Sequence, residues 1–242
     1  MLRLFWTYIQ KVSDGYDRMT PPPLITKGRP VPQLTPRGIL FDCDGVLVDS
    51  LESAGAAWDI WSAEWAPHFS FARDGIHGRR AADTIAELVA ADSVTVAERQ
   101  LERLEIDHTE GTREIPGAVA LTSSIPATQW TVVTSGTREL AESRLRTAGI
   151  TPPASFVAAE DVTHGKPDPE PYRRGAEMLG LDPADCIVFE DAPAGIAAAR
   201  AAGIGYVVGV GLDSAPGEPD VIVQDLRSVS WSDGVLDIAA LY

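Results

Sequence analysis

The segment RGILFDCDGVLVDS, residues 37–50, places two carboxylates directly after a short apolar run. Gly38 to Phe41 have the character of a buried parallel strand, and Asp42 and Asp44 follow it, with Gly45 closing a turn. Two like charges a few ångströms apart repel each other unless a cation or a shared proton holds them. Asp-x-Asp-Gly also occurs in ordinary turns, so these residues alone leave a turn and an active site as alternatives.

From residue 116 onward, strand-like and helix-like segments alternate. This pattern predicts an α/β fold: a Rossmann-like parallel sheet with helices on both faces, in which ligands bind at the carboxyl ends of the strands. The predicted strands after the first are 130–133, 156–159, 186–189, 206–208 and 221–223. The predicted helices between them are 138–147, 169–179 and 194–202.

Between the first strand and this alternating region, residues 51–115 have helical spacing. Trp58, Trp61 and Trp65 recur at i, i+3 and i+7 and indicate an apolar helix face, which is more often core than a binding surface. Further helices are predicted over 81–91 and 96–110. We therefore expect three parts: an α/β core (37–50 and 116–242), a small helical cap inserted after the first strand (51–115), and a proline-rich, disordered extension (1–36).

Composition restricts the partners. The formal net charge of -15 argues against nucleic acid and anionic membranes, and no apolar run is long enough to span a bilayer. Cys43 and Cys186 lie in apolar segments without a metal-type spacing, which indicates reduced thiols and a cytoplasmic protein. An anionic substrate would therefore need a site made attractive locally, by a metal, backbone N–H groups or a few placed cations.

Polar residues follow the predicted strands in an order that suggests one site. Thr134-Ser135-Gly136 follows the second strand, Gly165-Lys166-Pro167 follows the third, and Glu190-Asp191 follows the fourth. Asp42, the main-chain carbonyl of Asp44, and Asp191 could supply hard oxygen ligands to Mg²⁺. Lys166 is the only lysine from residue 37 onward, in a chain that otherwise uses arginine; a compact ammonium is suited to a place between carboxylate and phosphate.

Together, DCDGVLVDS, TSG, GKPDPEPY and FEDAPAGI resemble the four motifs of the haloacid dehalogenase-like hydrolase superfamily. The resemblance spans residues 38 to about 211 and is strongest to sugar- and polyol-phosphate phosphatases of the β-phosphoglucomutase-like branch. It implies a small phosphorylated sugar or polyol as substrate, Mg²⁺ as cofactor and a chain that can act as a monomer.

The resemblance also implies a role for each site residue. Asp42 would be the nucleophile that forms an aspartyl-phosphate, and Asp44 the general acid and base. The phosphoryl group would be held by Ser135, Gly136 and Lys166, and the metal by Asp42, Asp44, Asp191 and Glu190, the last directly or through water. Gly78, Arg79 and Arg80 would close over the substrate from the cap, or the arginines could be solvated surface charges.

Other reactions of the superfamily fit less well. Asp44 argues against dehalogenation, and the absence of lysine from residues 51–115 argues against phosphonate hydrolysis through a Schiff base. The mutase branch carries a histidine where this chain has Ala54. Phosphate-ester hydrolysis is therefore the main hypothesis, with a phosphosugar mutase of the β-phosphoglucomutase type as the alternative and a catalytically idle binding module as a third.

Overall fold

The computed structural model describes residues 33–74 and 78–239, and most of the predicted strands within them pair into one parallel sheet. In chain order the described strands are β1 Gly38–Phe41, β2 Val48–Asp49, β3 Arg113–Glu114, β4 Trp130–Val132, β5 Cys186–Glu190, β6 Tyr206–Val210, β7 Val221–Val223, β8 Val229–Ser232 and β9 Val235–Ile238. The main sheet has the order β4-β1-β5-β6-β7, with all its strands parallel. From β1, an interior strand, the chain continues first to β4 on one side and later to β5 on the other, which makes the carboxyl end of β1 the place where a ligand cleft is expected.

Helices cover both faces of this sheet, as predicted. The described α-helices are α1 Leu51–Trp65, α2 Phe71–Asp74, α3 Ala81–Leu88, α4 Val94–Asp107, α5 Ala118–Ser124, α6 Arg138–Thr147, α7 Glu170–Met178 and α8 Pro193–Ala202. Ile39 and Phe41 of β1 pack in the cluster that includes Leu145 of α6, whereas Leu40 packs in the cluster that includes Tyr172 of α7. Alternate side chains of a strand point to opposite faces, so both faces of β1 are buried and its sequence is continuously apolar.

The four helices α1–α4, referred to below as the helical insert (residues 51–107), enclose a separate apolar cluster. Trp58 and Trp61 of α1 pack in it with Ile85 of α3 and Leu101 of α4. The indole Nε1 of Trp61 donates a hydrogen bond to the carbonyl oxygen of Ala97, 2.8 Å away, so this buried ring has its polar group satisfied. The tryptophan spacing thus marks a packed helix face. The domain boundaries at 50 and 115 stay a prediction.

Several predicted elements differ from the observed ones. The predicted strand over 156–159 is wrong, because there only Val157 forms a bridge, to Val133, and a 3₁₀-helix begins at Ala159. The predicted helices 81–91 and 96–110 end earlier, at Leu88 and Asp107. The antiparallel hairpin of β8 and β9 was not predicted.

Some predictions fall outside the described residues. Most of the predicted extension lies there; of its described part, Leu34 exchanges backbone hydrogen bonds with Leu236. Within 33–74 and 78–239, the helices are too short or too polar for any of them to cross a membrane.

Candidate active site

The register of the sheet brings the polar strand ends together. Phe41 of β1 is paired with Val132 of β4 and with Phe189 of β5. The next residue, Asp42, therefore lies between the chain segments that continue into Thr134 and Glu190, and its backbone N–H donates to the carbonyl oxygen of Phe189 at 3.0 Å. Parallel pairing around β1 thus places the carboxylates from β1 and β5 at one edge.

A buried ammonium joins these carboxylates. The Nζ of Lys166, a residue only 2% exposed, donates to Asp42 Oδ1 at 2.7 Å and to Glu190 Oε1 at 2.7 Å. The hydroxyl of Tyr172 donates to the same Glu190 oxygen at 2.8 Å, and the N–H of Ala192 donates to Glu190 Oε2 at 3.0 Å. Both oxygens of Glu190 are therefore engaged in holding Lys166 and the loop that follows β5.

The cluster carries strongly shifted pKa values. Burial raises the pKa of Asp42 to about 7, and the neighbouring charges of Glu190 and Asp44 act in the same direction, while Lys166 opposes them. Burial by itself would lower the pKa of Lys166, but the charges of Asp42 and Glu190 raise it above its ordinary value. Lys166 therefore stays charged, and Asp42 has a carboxylate form that additional positive charge would stabilise.

The donor set fits a hard divalent cation. Asp42, Glu190 and Asp191 each offer a carboxylate oxygen, and these oxygens lie within 4.8 Å of one another. Asp191 Oδ1 is buried and has no hydrogen-bond partner among the described residues. Burial, followed by the charges of Glu190 and Asp42, raises the pKa of Asp191 well above its ordinary value. A buried carboxylate with an unpartnered oxygen, facing further carboxylates, is the arrangement that Mg²⁺ stabilises.

Asp44 has two partners that the sequence analysis did not identify. Its Oδ1 accepts a hydrogen bond from Ser50 Oγ at 2.5 Å and another from Arg144 Nη1 of α6 at 3.0 Å. Through Nη2, Arg144 also pairs with Glu105 of α4 at 3.0 Å. Arg144 and Glu105 are buried, so a charged chain runs from Asp44 through the core helix α6 into the helical insert.

These groups face a cavity of about 690 Å³ between the core and the helical insert. The core contributes Asp42, Asp44, Ser135 and Asp191 to its lining, and the insert contributes an apolar wall with a few polar groups. The lining residues from the insert include Ala54, Trp58, Phe69, Phe71, Thr84 and Glu105. Such a volume suits a small ligand, with polar groups at one end and an apolar surface at the other.

Ser135 and Gly136 line the cavity, and both make contacts of their own. Ser135 Oγ donates to the carbonyl oxygen of Gly78 at 2.8 Å, and the N–H of Gly136 donates to Thr134 Oγ1 at 3.0 Å. Gly78 has φ +81°, and a Cβ there would lie 2.7 Å from the Cβ of Ala192, so only glycine allows this close approach of loop and core.

The two predicted arginines occupy different places. Arg79 lines the cavity and pairs with the exposed Glu87 at 2.7 Å. Arg80 pairs with Asp83, donates to the carbonyl oxygen of Val162 at 3.4 Å, and packs against Gly165. Arg80 is not part of the described cavity lining. Of the two, Arg79 is therefore placed to meet a ligand, whereas Arg80 connects the helical insert to the loop that carries Lys166.

Comparisons with known proteins find a matching family, proteins of similar sequence and a solved structure of similar fold. The profile of the haloacid dehalogenase-like hydrolase family matches residues 36–203. The chain is 38% identical to hexitol phosphatase A of Escherichia coli (strain K12) over 207 residues, which is 80% of this chain and 93% of that protein. It is 36% identical to glycerol-1-phosphate phosphohydrolase 2 of Saccharomyces cerevisiae over 207 residues, 78% of this chain and 82% of that protein. In fold it resembles the crystal structure of β-phosphoglucomutase from Clostridium difficile, with a TM-score of 0.68, 20% identity and coverage of 78% of this chain and 91% of that one.

Proposed function

The chain belongs to the haloacid dehalogenase-like hydrolase family, and we propose that it is a Mg²⁺-dependent phosphatase that hydrolyses a small sugar or polyol phosphate through an aspartyl-phosphate. The observation that carries this proposal is the buried Asp42–Lys166–Glu190 cluster at the carboxyl end of β1, of which Asp42 lines the cavity together with Asp44. The general class, phosphoric monoester hydrolase, is common to the curated relatives named above.

In the first step a carboxylate oxygen of Asp42 attacks phosphorus, and the bond from phosphorus to the sugar oxygen breaks. Asp44 donates a proton to that leaving oxygen, so that the alcohol departs neutral. Lys166 lies within 2.7 Å of Asp42 Oδ1, where its charge also reaches the phosphoryl oxygens. Ser135 and the backbone N–H groups after Asp42 hold the remaining phosphoryl oxygens.

In the second step water attacks phosphorus of the aspartyl-phosphate, and Asp44 accepts the proton of that water. The bond from phosphorus to the Asp42 oxygen breaks, which releases inorganic phosphate and restores both carboxyl groups. The sum is one ester and one water converted into one alcohol and one phosphate. Asp44 therefore acts on both the leaving group and the water.

Mg²⁺ would be held by Asp42, Asp191 and the main-chain carbonyl of Asp44, with Glu190 reaching it through water because its own oxygens hold Lys166, Tyr172 and Ala192. When bound, it supplies positive charge that favours the ionised form of the buried carboxyls and neutralises a phosphoryl oxygen. This local charge offsets the net charge of -15 for an anionic substrate.

The cavity favours hydrolysis of a monophosphate over a mutase reaction. A mutase of the β-phosphoglucomutase type must also accept a bisphosphate, which needs cations for a second phosphate. Among the described lining residues, Arg144 is shared by Asp44 and Glu105, and Arg79 is paired with Glu87. Ala54 also lines the cavity and offers no side chain for proton transfer at the position of the mutase histidine.

A phosphate-release screen tests the proposal. The panel contains hexitol, glycerol, hexose and 2-deoxyhexose phosphates, assayed with Mg²⁺ for the wild type and for Asp42→Asn, a nearly isosteric control. We expect release from one or more sugar or polyol phosphates and a loss of at least about 10³-fold in Asp42→Asn. Undiminished release by the variant would exclude Asp42 as nucleophile. Bisphosphate-dependent interconversion of sugar phosphates, with little free phosphate, would identify a mutase instead.

The two cysteines support a proposed cytoplasmic location. Cys43 and Cys186 are both buried and unpaired with each other. Burial raises the pKa of the Cys43 thiol well above its usual range, and the charges of Asp44 and Asp42 raise it further, so this thiol is unreactive beside the nucleophile. A protein with two buried thiols and no disulfide among its described residues suits a reducing compartment.

A further inference from the structure

Arg144 and Glu105 lie outside the motifs that carry the proposed chemistry, yet they form a buried ion chain that ends on the acid/base residue Asp44. Arg144 belongs to α6 of the core, and its side chain is 6% exposed. Glu105 belongs to α4 of the helical insert, and its side chain is 9% exposed. A guanidinium buried this deeply costs free energy unless its donors are paired, so its place beside Asp44 is maintained by both carboxylates.

The geometry restrains Asp44 from two sides. Arg144 Nη1 and Ser50 Oγ both donate to Asp44 Oδ1, at 3.0 Å and 2.5 Å. The planar guanidinium presents Nη1 and Nη2 at a fixed angle, so Glu105 on Nη2 orients the donor that reaches Asp44. Arg144 Nε has no hydrogen-bond partner among the described residues, which leaves these two carboxylates as the anchors of the group.

The segment that directly follows the insert is linked to α6 at a neighbouring point as well. Ser143 Oγ donates to Thr109 Oγ1, 3.2 Å away, one helical turn beyond Glu105. The carboxylate of Glu105 is therefore presented to Arg144 by a segment seated on the core helix. Burial raises the pKa of Glu105, and Arg144 opposes that effect, as expected for a carboxyl kept in the interior for the sake of its partner.

We propose that Arg144 is a positioning residue for Asp44 and that Glu105 of the helical insert holds Arg144 in place. The inference rests on the proposed phosphatase function and adds a dependence of the acid/base on the insert. Arg144 acts through Asp44 rather than on the reacting phosphorus. Without Arg144, Asp44 would retain its chemistry but sample orientations unsuited to proton transfer to the leaving oxygen.

The test compares leaving groups. The kinetic constants kcat and KM are measured for Arg144→Met with the sugar or polyol phosphate that the wild type hydrolyses fastest, and with p-nitrophenyl phosphate, whose phenolate departs without a proton. Since kcat/KM reports steps up to the first irreversible bond cleavage, we expect it to fall roughly 10-fold or more for the alkyl phosphate and about 3-fold or less for p-nitrophenyl phosphate. Arg144→Lys should recover part of the loss.

Glu105→Ala should also lower kcat/KM more for the alkyl phosphate than for p-nitrophenyl phosphate, but by a smaller factor than Arg144→Met. In an Asp44→Asn background, Arg144→Met should cause no further loss with the alkyl phosphate, because its effect passes through the carboxylate already removed. Arg146→Met is the matched control, since Arg146 lies on the same helix, is exposed and pairs only with Glu142 in the described structure. We expect it to leave both kcat/KM values unchanged.

Equal losses of kcat/KM with both substrates would overturn the positioning role and show a structural one. A loss from Arg144→Met that persists in the Asp44→Asn background would do the same. Thermal unfolding of each variant identifies loss of folding, and Glu105→Gln, which keeps the shape of the side chain and an acceptor for Arg144, provides a second variant if Arg144→Met does not fold. A wild-type protein that releases phosphate from neither substrate would instead refute the proposed function and this inference together.

Discussion

Lys166 is the residue on which the charge balance of the site depends. It is fully enclosed and holds Asp42 and Glu190 at 2.7 Å each. In Lys166→Met, two carboxylates would remain buried without their cation, which is expected to lower the free energy of unfolding by about 3–5 kcal/mol. Urea unfolding in the presence of EDTA measures this change, and phosphate release should be lost in the same variant.

The double variant Lys166→Met/Glu190→Gln is the control for that prediction. It removes the positive charge and one negative charge together, so it should be more stable than Lys166→Met alone. Equal unfolding midpoints for Lys166→Met and the wild type would show that the ammonium contributes nothing to stability and would contradict the account of the cluster given above.

At the residue scale, the site residues that the sequence predicts are those that come at the carboxyl ends of strands. Asp42, Asp44 and Asp191 stand directly after apolar runs, so their meeting follows from parallel pairing. Arg144 does not follow a strand: it lies in the polar helix sequence RELAESRLRT, where only its helical spacing from Leu140 and Ala141 indicates the buried face, and nothing local indicates its partners. Its burial is a consequence of the helical insert packing over α6, which only the tertiary structure shows.

Among the elements, α1 and α4 form the main packing interface of the helical insert. Trp61 is completely buried there and donates to Ala97, whereas Trp65, one turn on, is only partly buried and donates to Gln100. We expect Trp61→Ala to lower the free energy of unfolding by about 3–5 kcal/mol through the lost contacts and the cavity left behind. Urea unfolding followed by circular dichroism is the measurement.

Trp65→Ala is the matched control on the same helix. Because its ring keeps part of its surface in solvent, removal should cost roughly half as much or less. If the two variants unfolded at the same urea concentration, burial would not be the cause of the stability that Trp61 provides. The comparison therefore tests the assignment of the tryptophan stripe to the core of the insert.

The elements that differ from the sequence prediction can be explained physically. The β8–β9 hairpin spans Val229 to Ile238, and apolar residues alternate along it. Its turn is Asp233-Gly234, and both of these residues have positive φ, as two-residue hairpin loops require. That signal is present in the sequence but short. The segment at Phe156 is apolar and was predicted as a strand, but Val157 alone bridges to Val133 at the end of β4. Apolar character reports burial, whereas ladder formation depends on how far the neighbouring strand extends.

For the molecule as a whole, we expect the site to couple the proposed metal binding to pH and to stability. The pKa of Asp42 is raised from 3.8 to about 7, so the folded protein binds this proton more tightly than the unfolded chain does. The resulting stabilisation is complete below about pH 4 and is lost as the pH rises through about 7. Mg²⁺ competes with that proton. The rise in Tm on adding Mg²⁺ should therefore be larger at pH 8 than at pH 5.5.

Calorimetry at the two pH values, with EDTA or with Mg²⁺, measures this difference, and Asp42→Asn is the comparison because asparagine has no proton to displace. In that variant the rise in Tm should be smaller and should depend less on pH. An increment in the wild type that is the same at pH 5.5 and pH 8 would contradict competition between the proton and the metal at Asp42.

The overall architecture was predictable because each strand and helix has a local pattern, and their alternation restricts the connections to crossovers over a parallel sheet. The strand order β4-β1-β5-β6-β7 was not, since it depends on which buried faces fit one another across long sequence distances. The link from Asp44 through Arg144 to Glu105 of the insert is of the same kind. Local sequence patterns predict the individual strands and helices, whereas the packing of these elements on one another is seen only in the structure.

The distribution of lysine has a practical consequence. Lys166 is the sole lysine between residues 33 and 239, and its amine is enclosed by carboxylates. Reagents that acylate amines, or surfaces that capture amines, will therefore not attach to a lysine of residues 33–74 and 78–239 while these stay folded. The other lysines of the sequence, Lys11 and Lys27, lie outside the described residues, so a fluorophore coupled through a lysine leaves the described site unmodified. Acylation of Lys166 itself would then report unfolding.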